Sequence, residues 1–324
     1  MRMAVLGLGL VTAAGNSPEL FLQAAPRIVV EPFATPRGTV SLATYRASPD
    51  GLEAIVPPRS VRRLDGFARR SLLAALLALK DAGDVGLDKE RTAVVFGSAH
   101  GPVGSSMEFL DSVLDNGDAF ASPTPFAASV HNAVAALVSI QAGLTGPSLS
   151  LSTMGMTTAN VLDAAALALE GAEADHVLAG VGEDYHPLLG YAVASLGVGG
   201  GRLEPLDFGR DAFCPGEGAV FLLLGRSGGL RHVELRQQVG LDETLGLLRG
   251  AGRLFLGARG LRSEAKAYRE LLSKLPGGVK AEAHAGSYGS MLSGTAFELA
   301  ALLLSGGGAC VEVAGGGLYN VYLS

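Results

Sequence analysis

Residue types that mark particular protein classes are scarce in this chain of 324 residues. It has no tryptophan and only two cysteines, Cys214 and Cys310, whose wide separation gives no disulfide framework and no metal-ligand spacing. Charged residues make up 17% and the formal net charge is −6, so nothing indicates nucleic-acid binding. No run reaches the roughly 18 uninterrupted apolar residues of a membrane span. We therefore expect a cytoplasmic protein that binds no metal, nucleic acid or membrane.

What the chain has in abundance is apolar residues, at 48%, and glycine, at 46 residues. Much Ala, Gly, Leu and Val with little charge is typical of an α/β protein whose central strands are buried on both faces. Strand-like segments alternate with helical ones, which favours mixed or mostly parallel sheets with helices on their faces. The strand-to-helix turns are then expected at one edge of the sheet, where ligands bind in such folds.

The strongest pattern is internal repetition, because segments of the first part of the chain recur in the same order in the second. The matching pairs are 4–11 with 232–240, 92–101 with 252–260, 147–156 with 279–291, 175–185 with 308–319, and 219–225 with 320–324. The repetition predicts two copies of one strand-rich unit, residues 1–228 and a shorter 229–324. No Pro/Ser-rich linker separates them, so we expect them to pack as one body.

A duplicated unit with small-residue turns at equivalent places resembles the thiolase fold, and the motifs resemble those of the β-ketoacyl synthase family. These motifs are, in order, residues 4–17, 62–83, 122–147, 206–219, 263–271 and 315–320. Each motif is weak alone, but together they touch nearly the whole chain in the family's order. The resemblance implies a layered α/β fold made of two duplicated halves with mixed central sheets, and no cofactor.

The resemblance also implies where the catalytic residues should be. Family members carry the acyl chain on a cysteine at a helix N-terminus, and two histidines promote decarboxylation and stabilise the enolate oxygen. In this sequence the cysteine position is Gly155, the first histidine position is Arg259 and the second is Ser290. Glycine cannot hold an acyl group, and arginine stays protonated at neutral pH. The resemblance therefore implies that the decarboxylative condensation is lost.

Other positions of the family pattern have changed as well. Met154 and Met156, flexible apolar residues on either side of Gly155, are predicted to fill the vacated pocket. The excursion between two strands at 226–262 is shorter than in the family, and Gly316 stands where an aromatic gate is expected. Glu298, the acidic residue of the last helix, is retained.

A ketosynthase without its catalytic set resembles a chain length factor, the inactive subunit of some ketosynthase pairs. The resemblance implies a heterodimer with an active ketosynthase in fatty-acid-like, polyketide or aryl-polyene biosynthesis, with acyl carrier protein reached through that partner. The interface is expected in segments 97–140 and 148–160. His131 and Asn132 are the candidate interface residues.

Two other functions stay open at this point. An acyl-thioester hydrolase or acyltransferase would need a hydroxyl nucleophile, for which Ser152, Thr153 and Ser290 are candidates, and a base within hydrogen-bond reach. His284 is the nearby candidate base. A homodimeric acyl-binding scaffold would need no active partner at all.

Overall fold

The computed structural model describes residues 2–229 and 231–324. The strands are β1 (Arg2–Val11), β2 (Ile28–Thr35), β3 (Gly38–Tyr45), β4 (Thr92–Ser98), β5 (Ser148–Ser152), β6 (His176–Glu183), β7 (Gly218–Gly225), β8 (Arg231–Val239), β9 (Arg253–Leu256), β10 (Lys280–Glu282), β11 (Ala309–Gly315) and β12 (Leu318–Leu323). The helices are α1 (Pro18–Gln23), α2 (Leu52–Ile55), α3 (Pro58–Val61), α4 (Gly66–Ala82), α5 (Val103–Asn116), α6 (Pro123–Ser129), α7 (Ala133–Ala142), α8 (Thr157–Glu170), α9 (Pro187–Leu196), α10 (Leu241–Leu247), α11 (Ala265–Ser273), α12 (Ala285–Tyr288) and α13 (Thr295–Leu304). Short 3₁₀ turns lie at Asp118–Phe120 and Arg262–Glu264.

Ten strands form one mixed sheet in the order β10-β9-β11-β12-β8-β1-β7-β6-β4-β5. From the β1–β8 junction outward, the two halves have matching orders, β1-β7-β6-β4-β5 and β8-β12-β11-β9-β10. Each repeated segment pair of the sequence falls on strands in equivalent places. The predicted fold class is confirmed, with one continuous sheet in place of separate ones, while the division after residue 228 stays a prediction.

The helices fall into two groups, one packed between strands of the two halves and one packed on the outside of the N-terminal half. Helix α8 contacts β4, β5, β6 and also β8, and α13 contacts β9 and β11 as well as β1 and β7, so both helices lie between strands of the two halves. Every residue of α13 from Thr295 to Leu303 is buried. A helix buried on all sides, as this one is, lies inside the molecule and not on its surface. Helices α4 and α7 pack on strands of the N-terminal half, outside this central layer.

The packing of α4 on β1 is unusually close. The helix begins after Asp65, whose side chain accepts a hydrogen bond from the backbone N–H of Ala68 at 2.7 Å. Its Ala74 carbonyl lies over Gly9, where an added Cβ would be 2.0 Å from the carbonyl oxygen. Only glycine on the strand allows this approach, which explains the glycines in the first predicted strand.

Strands β2 and β3 form a separate two-stranded sheet that the repetition did not predict. They pair antiparallel from Ile28 with Tyr45 to Thr35 with Gly38, and pack on α9 through a small apolar cluster that includes Phe33 and Leu42. Across the residues that the structure describes, none of the helices is long and apolar enough to cross a membrane.

We predict that Gly9→Ala lowers the free energy of unfolding by about 2 kcal/mol, because the new methyl group would overlap the Ala74 carbonyl. Gly246→Ala in α10 is the matched control: a Cβ there meets nothing within 4 Å, so the change should be neutral or stabilising by about 0.5 kcal/mol. Urea denaturation measures both. Equal stabilities for the two variants would contradict the close packing.

Candidate functional site

A cleft of about 630 Å³ lies where the turn after β5 meets the loop after β9 and the end of β11. It is lined by residues 153–156, Asn160, Arg259, Ser263, Glu264 and 312–315. The structure thus brings Gly155 and Arg259, two of the three sequence-predicted positions, to the same cleft. Ser290 is outside its lining. We call this space the central cleft.

The turn that carries Gly155 has a backbone suited to glycine. Gly155 has φ +135°, and Met156, the N-cap of α8, has a left-handed φ of 54°. A Cβ at Gly155 would meet nothing within 4 Å, so space is available for a side chain. The backbone conformation is the obstacle, because residues other than glycine rarely adopt it. The turn therefore carries no thiol at this position, and its backbone conformation does not suit a residue with a Cβ.

The two methionines do not fill the cleft. Met154 has 72% of its surface exposed, and Met156 is half-buried and packs against the core beneath the turn. Both line the central cleft, which remains open. The turn directs Met154 away from the core, and the role of the two methionines in filling a pocket stays a prediction.

The guanidinium of Arg259 is already paired. Its Nε donates to Glu264 Oε1 at 2.5 Å, and its backbone N–H donates to the other carboxylate oxygen at 3.0 Å. Burial works against the charge of Arg259, but the adjacent carboxylate outweighs it and raises the pKa of the guanidinium. The cation therefore stays protonated and is neutralised locally, so it supplies neither a proton nor a free positive charge.

A second acid, Glu312, faces the same cleft. It is only 7% exposed, and it accepts hydrogen bonds from Tyr322 Oη at 3.0 Å and Asn320 Nδ2 at 3.4 Å. Burial raises the pKa of Glu312. Sequence reasoning missed both Glu264 and Glu312. The available signal was an acid in the apolar run of β11, and another five residues after Arg259.

Ser290 has a structural role. It is 2% exposed, its Oγ donates to the Arg259 carbonyl at 2.8 Å, and it accepts from the Cys214 backbone N–H at 3.0 Å. The hydroxyl proton is thus given to a backbone carbonyl and not to a base. This residue connects three loops, and the geometry gives no support to Ser290 as a nucleophile.

The remaining hydroxyl candidates are not assembled with a base. Thr153 lines the central cleft, but its Oγ1 donates to Thr157 Oγ1 at 3.1 Å. Ser152 is exposed and lies outside the lining of the cleft, as does His284. The structure therefore does not bring Ser152, Thr153 and His284 together as a catalytic group.

His284 instead pairs with the retained acid. Its Nδ1 lies 3.1 Å from Glu298 Oε2, its backbone N–H donates to the other oxygen, and its ring stacks on Phe255 with centroids 5.4 Å apart. Tyr288 Oη also donates to Glu298, at 2.9 Å. Burial opposes the charged imidazole, but the hydrogen bond and the charge of Glu298 outweigh burial and raise the pKa of His284.

We predict that this pair makes stability depend on pH. A raised histidine pKa means that its contribution is fully present below the unfolded value of about 6.5 and is lost as the pH rises through the folded-state pKa. His284→Gln should flatten the fall in the free energy of unfolding above about pH 6.5. Urea denaturation across pH measures this. His131→Gln, at an exposed histidine, is the matched substitution against which the pH dependence of His284→Gln is compared.

The candidate interface residues lie on the surface. His131 and Asn132 are both exposed. The His131 ring lies directly on Gly101, where an added Cβ would be 2.5 Å from the imidazole Cε1 and Nδ1 atoms. The ring is thus held in place within the chain while one side remains accessible. Their role in an interface stays a prediction.

Cys214 offers no reactive thiol. The thiol of Cys214 is buried and donates to the Gly200 carbonyl at 3.2 Å, and burial raises its pKa to about 11, so it stays protonated. Within residues 2–229 and 231–324, the His, Cys, Asp and Glu side chains form no group of three or more that could hold a metal ion.

Comparison with known proteins identifies the family. Residues 31–228 match the family model of the β-ketoacyl synthase N-terminal domain. This match covers more than half of the chain. The chain belongs to the β-ketoacyl synthase family.

The curated relatives are synthases. The chloroplastic 3-oxoacyl-[acyl-carrier-protein] synthase I of Arabidopsis thaliana is 26% identical over 253 residues, which cover 69% of this chain and 51% of the relative. The 3-oxoacyl-[acyl-carrier-protein] synthase 2 of Coxiella burnetii is 28% identical over 261 residues, covering 76% and 62%. The chain thus aligns with about half to three fifths of these proteins.

Solved structures support the same fold. The ishigamide ketosynthase/chain length factor superposes with a TM-score of 0.75 at 17% identity, covering 100% of this chain and 99% of that one. A ketosynthase in complex with its chain length factor from Xenorhabdus doucetiae gives a TM-score of 0.67 at 13% identity, covering 99% and 96%. At such identities the likeness establishes the fold alone.

Proposed function

We propose that this chain is a non-catalytic ketosynthase homologue that pairs with an active β-ketoacyl-acyl-carrier-protein synthase. The observation that carries the proposal is the fate of three positions. Gly155 offers no nucleophile, Arg259 is neutralised by Glu264, and Ser290 gives its proton to a backbone carbonyl. A thiol and two imidazoles are needed for the condensation, and each has been replaced by a group that cannot take its place.

Two of the structural neighbours support a paired role, since they are described as a ketosynthase/chain length factor and a ketosynthase in complex with its chain length factor. A third is a type II polyketide synthase acyl-carrier protein in complex with its ketosynthase, at a TM-score of 0.71 and 16% identity. By analogy, the active partner of this chain would receive the carrier protein. The pathway would be fatty-acid-like, polyketide or aryl-polyene synthesis.

The surface also supports pairing. Large apolar side chains are exposed in both predicted interface segments, namely Leu110, Leu114, Phe120, Phe126, Val130, Ile140, Leu149 and Met154. Leu114 and Phe120 have 81% and 80% of their surfaces exposed. Strand β5 lies beside them as the edge of the sheet, with one side free to pair. Contiguous apolar surface next to an open strand edge is typical of a protein–protein interface.

We predict that Gly155→Cys does not restore acyl transfer. The new thiol would have no histidine beside it, and the backbone at φ +135° should cost about 1–3 kcal/mol of unfolding free energy for a residue with a Cβ. Incubation with an acyl-carrier thioester, followed by intact-mass spectrometry and urea denaturation, measures both effects. Gly201→Cys is the control for stability, because Gly201 is exposed and a Cβ there meets nothing within 4 Å. Turnover-competent acylation at position 155 would overturn the non-catalytic assignment.

We predict that the chain forms a 1:1 complex with the ketosynthase encoded beside it, measured by co-purification and native mass spectrometry. Leu114→Asp combined with Phe120→Asp should reduce complex formation by at least tenfold, because charges would replace buried apolar contacts. Val30→Asp, at another exposed apolar residue far along the chain on β2, should leave it intact. A chain that remains alone or forms only homodimers argues against the proposal and favours the scaffold alternative.

Acyl-carrier thioesters and mass spectrometry also test the alternative function, an enzyme with a hydroxyl nucleophile. The wild-type chain, incubated with acyl-carrier thioesters, should give neither a covalent adduct nor free acid, since Thr153 and Ser290 have their hydroxyl protons bonded to a hydroxyl and a carbonyl oxygen. An acyl group found on either residue would establish an enzyme with different chemistry.

A further inference from the structure

A second concave surface lies between the loop that precedes Cys214 and the start of α11. It has a volume of about 480 Å³ and is lined by Phe208, Gly209, Arg262, Ala265, Lys266 and Arg269. Three of these six residues are cations, and none is an acid. We call it the basic pocket. Nothing in the proposed function uses it.

The cations of the basic pocket lack the ionic partners that surface arginines have elsewhere in the chain. Arg69, for example, pairs with Glu53 at 2.7 Å, and Arg231 pairs with Asp81 at 3.0 Å. Among the described residues, the side chains of Arg262 and Lys266 form no ion pair, and Arg269 donates only to the Phe208 carbonyl, at 2.8 Å.

The three cations gather positive charge on one exposed concave surface, although the chain as a whole carries a net charge of −6. A bound anion would interact favourably with all three side chains. This local excess of positive charge suits an anionic ligand.

The pocket is held in shape by its surroundings. The backbone N–H of Arg262 donates to Asp211 Oδ1 at 2.8 Å. The carboxylate of Asp207 accepts from the N–H of Gly209, a residue of the pocket lining, at 2.9 Å and from Arg210 Nε at 3.0 Å. The hydrogen bond from Gly209 and, to a smaller degree, the charge of Arg269 lower the pKa of Asp207. The Phe208 ring stacks on a buried tyrosine, Tyr268, with centroids 5.7 Å apart. The stacked ring gives the pocket a fixed apolar wall, and Arg269 is held by its bond to the Phe208 carbonyl, which lowers the cost of ordering that side of the site around a ligand.

We propose that the basic pocket binds a phosphate group, either as free phosphate or as a phosphate monoester. Such a group carries about −1.5 to −2 charges at neutral pH, which suits three cations better than a monoanion does. Two of the cations are arginines, whose planar forks match phosphate oxygens in pairs. The apolar wall of Phe208 leaves room for the organic part of an ester.

Isothermal titration calorimetry on the full chain, at constant ionic strength, tests the proposal with three probes: inorganic phosphate, glycerol 3-phosphate and acetate. Both phosphates should bind more tightly than acetate. The double variant Arg262→Ala with Lys266→Ala should weaken phosphate binding by about tenfold or more, since two charge-assisted contacts are removed. Arg59→Ala removes an exposed cation outside the pocket and should leave binding unchanged.

The result also distinguishes the two sources of phosphate. Tighter binding of glycerol 3-phosphate than of inorganic phosphate identifies an ester ligand, and the reverse identifies the free ion. Three results would each overturn the proposal. The wild-type chain could bind no phosphate, or it could bind acetate as tightly as phosphate. The double variant and Arg59→Ala could also lose phosphate affinity to the same extent. Urea denaturation of each variant establishes that it is folded. The outcome is independent of whether the chain pairs with a ketosynthase.

Discussion

Helices α8 and α13 are packed between strands of the two halves, and the position of the candidate site depends on that packing. The N-terminus of α8 carries the turn at Gly155, and α13 follows directly after the segment of Ser290. Burial of both helices therefore fixes both sides of the site, whatever side chains occupy it. The apolar contacts that stabilise the fold lie along the helices, away from the replaced positions at their ends. The fold therefore depends little on which side chains occupy Gly155, Arg259 and Ser290.

The three positions that the resemblance assigns to catalysis each have a local bond or a conformation of their own. Arg259 is bound by Glu264, and Ser290 connects the Arg259 carbonyl to the Cys214 loop. Gly155 has adopted a φ that other residues avoid. Substituting Arg259 or Ser290 would therefore break an existing interaction, and substituting Gly155 would meet an unfavourable backbone. The central cleft beside Gly155 and Arg259 is open.

Much of this architecture could be predicted from sequence, because each repeated segment is a local strand that ends in a turn. The equivalent strand orders of the two halves follow from that repetition, and so does the meeting of Gly155 with Arg259 at one edge. The exposure of Met154 could not be predicted, since it depends on the path of one turn. Nor could the bonds of Ser290, which join residues 31 and 76 positions apart. Tertiary packing determines hydrogen bonds between residues so far apart in sequence, so a local sequence pattern does not predict them.

The two edges of the ten-stranded sheet differ in a way that bears on pairing. At one edge, β10 has only three residues, and its Lys280 and Glu282 are charged, with Arg253 of β9 bonded to Glu282 at 3.0 Å. Short, charged strands of this kind prevent a sheet from extending to another chain. At the other edge, β5 is uncharged, and Leu149 is 45% exposed beside other apolar side chains. A chain that protects one edge and leaves the other open has a surface suited to association on one side only. That asymmetry favours a closed pair of subunits over an open-ended assembly.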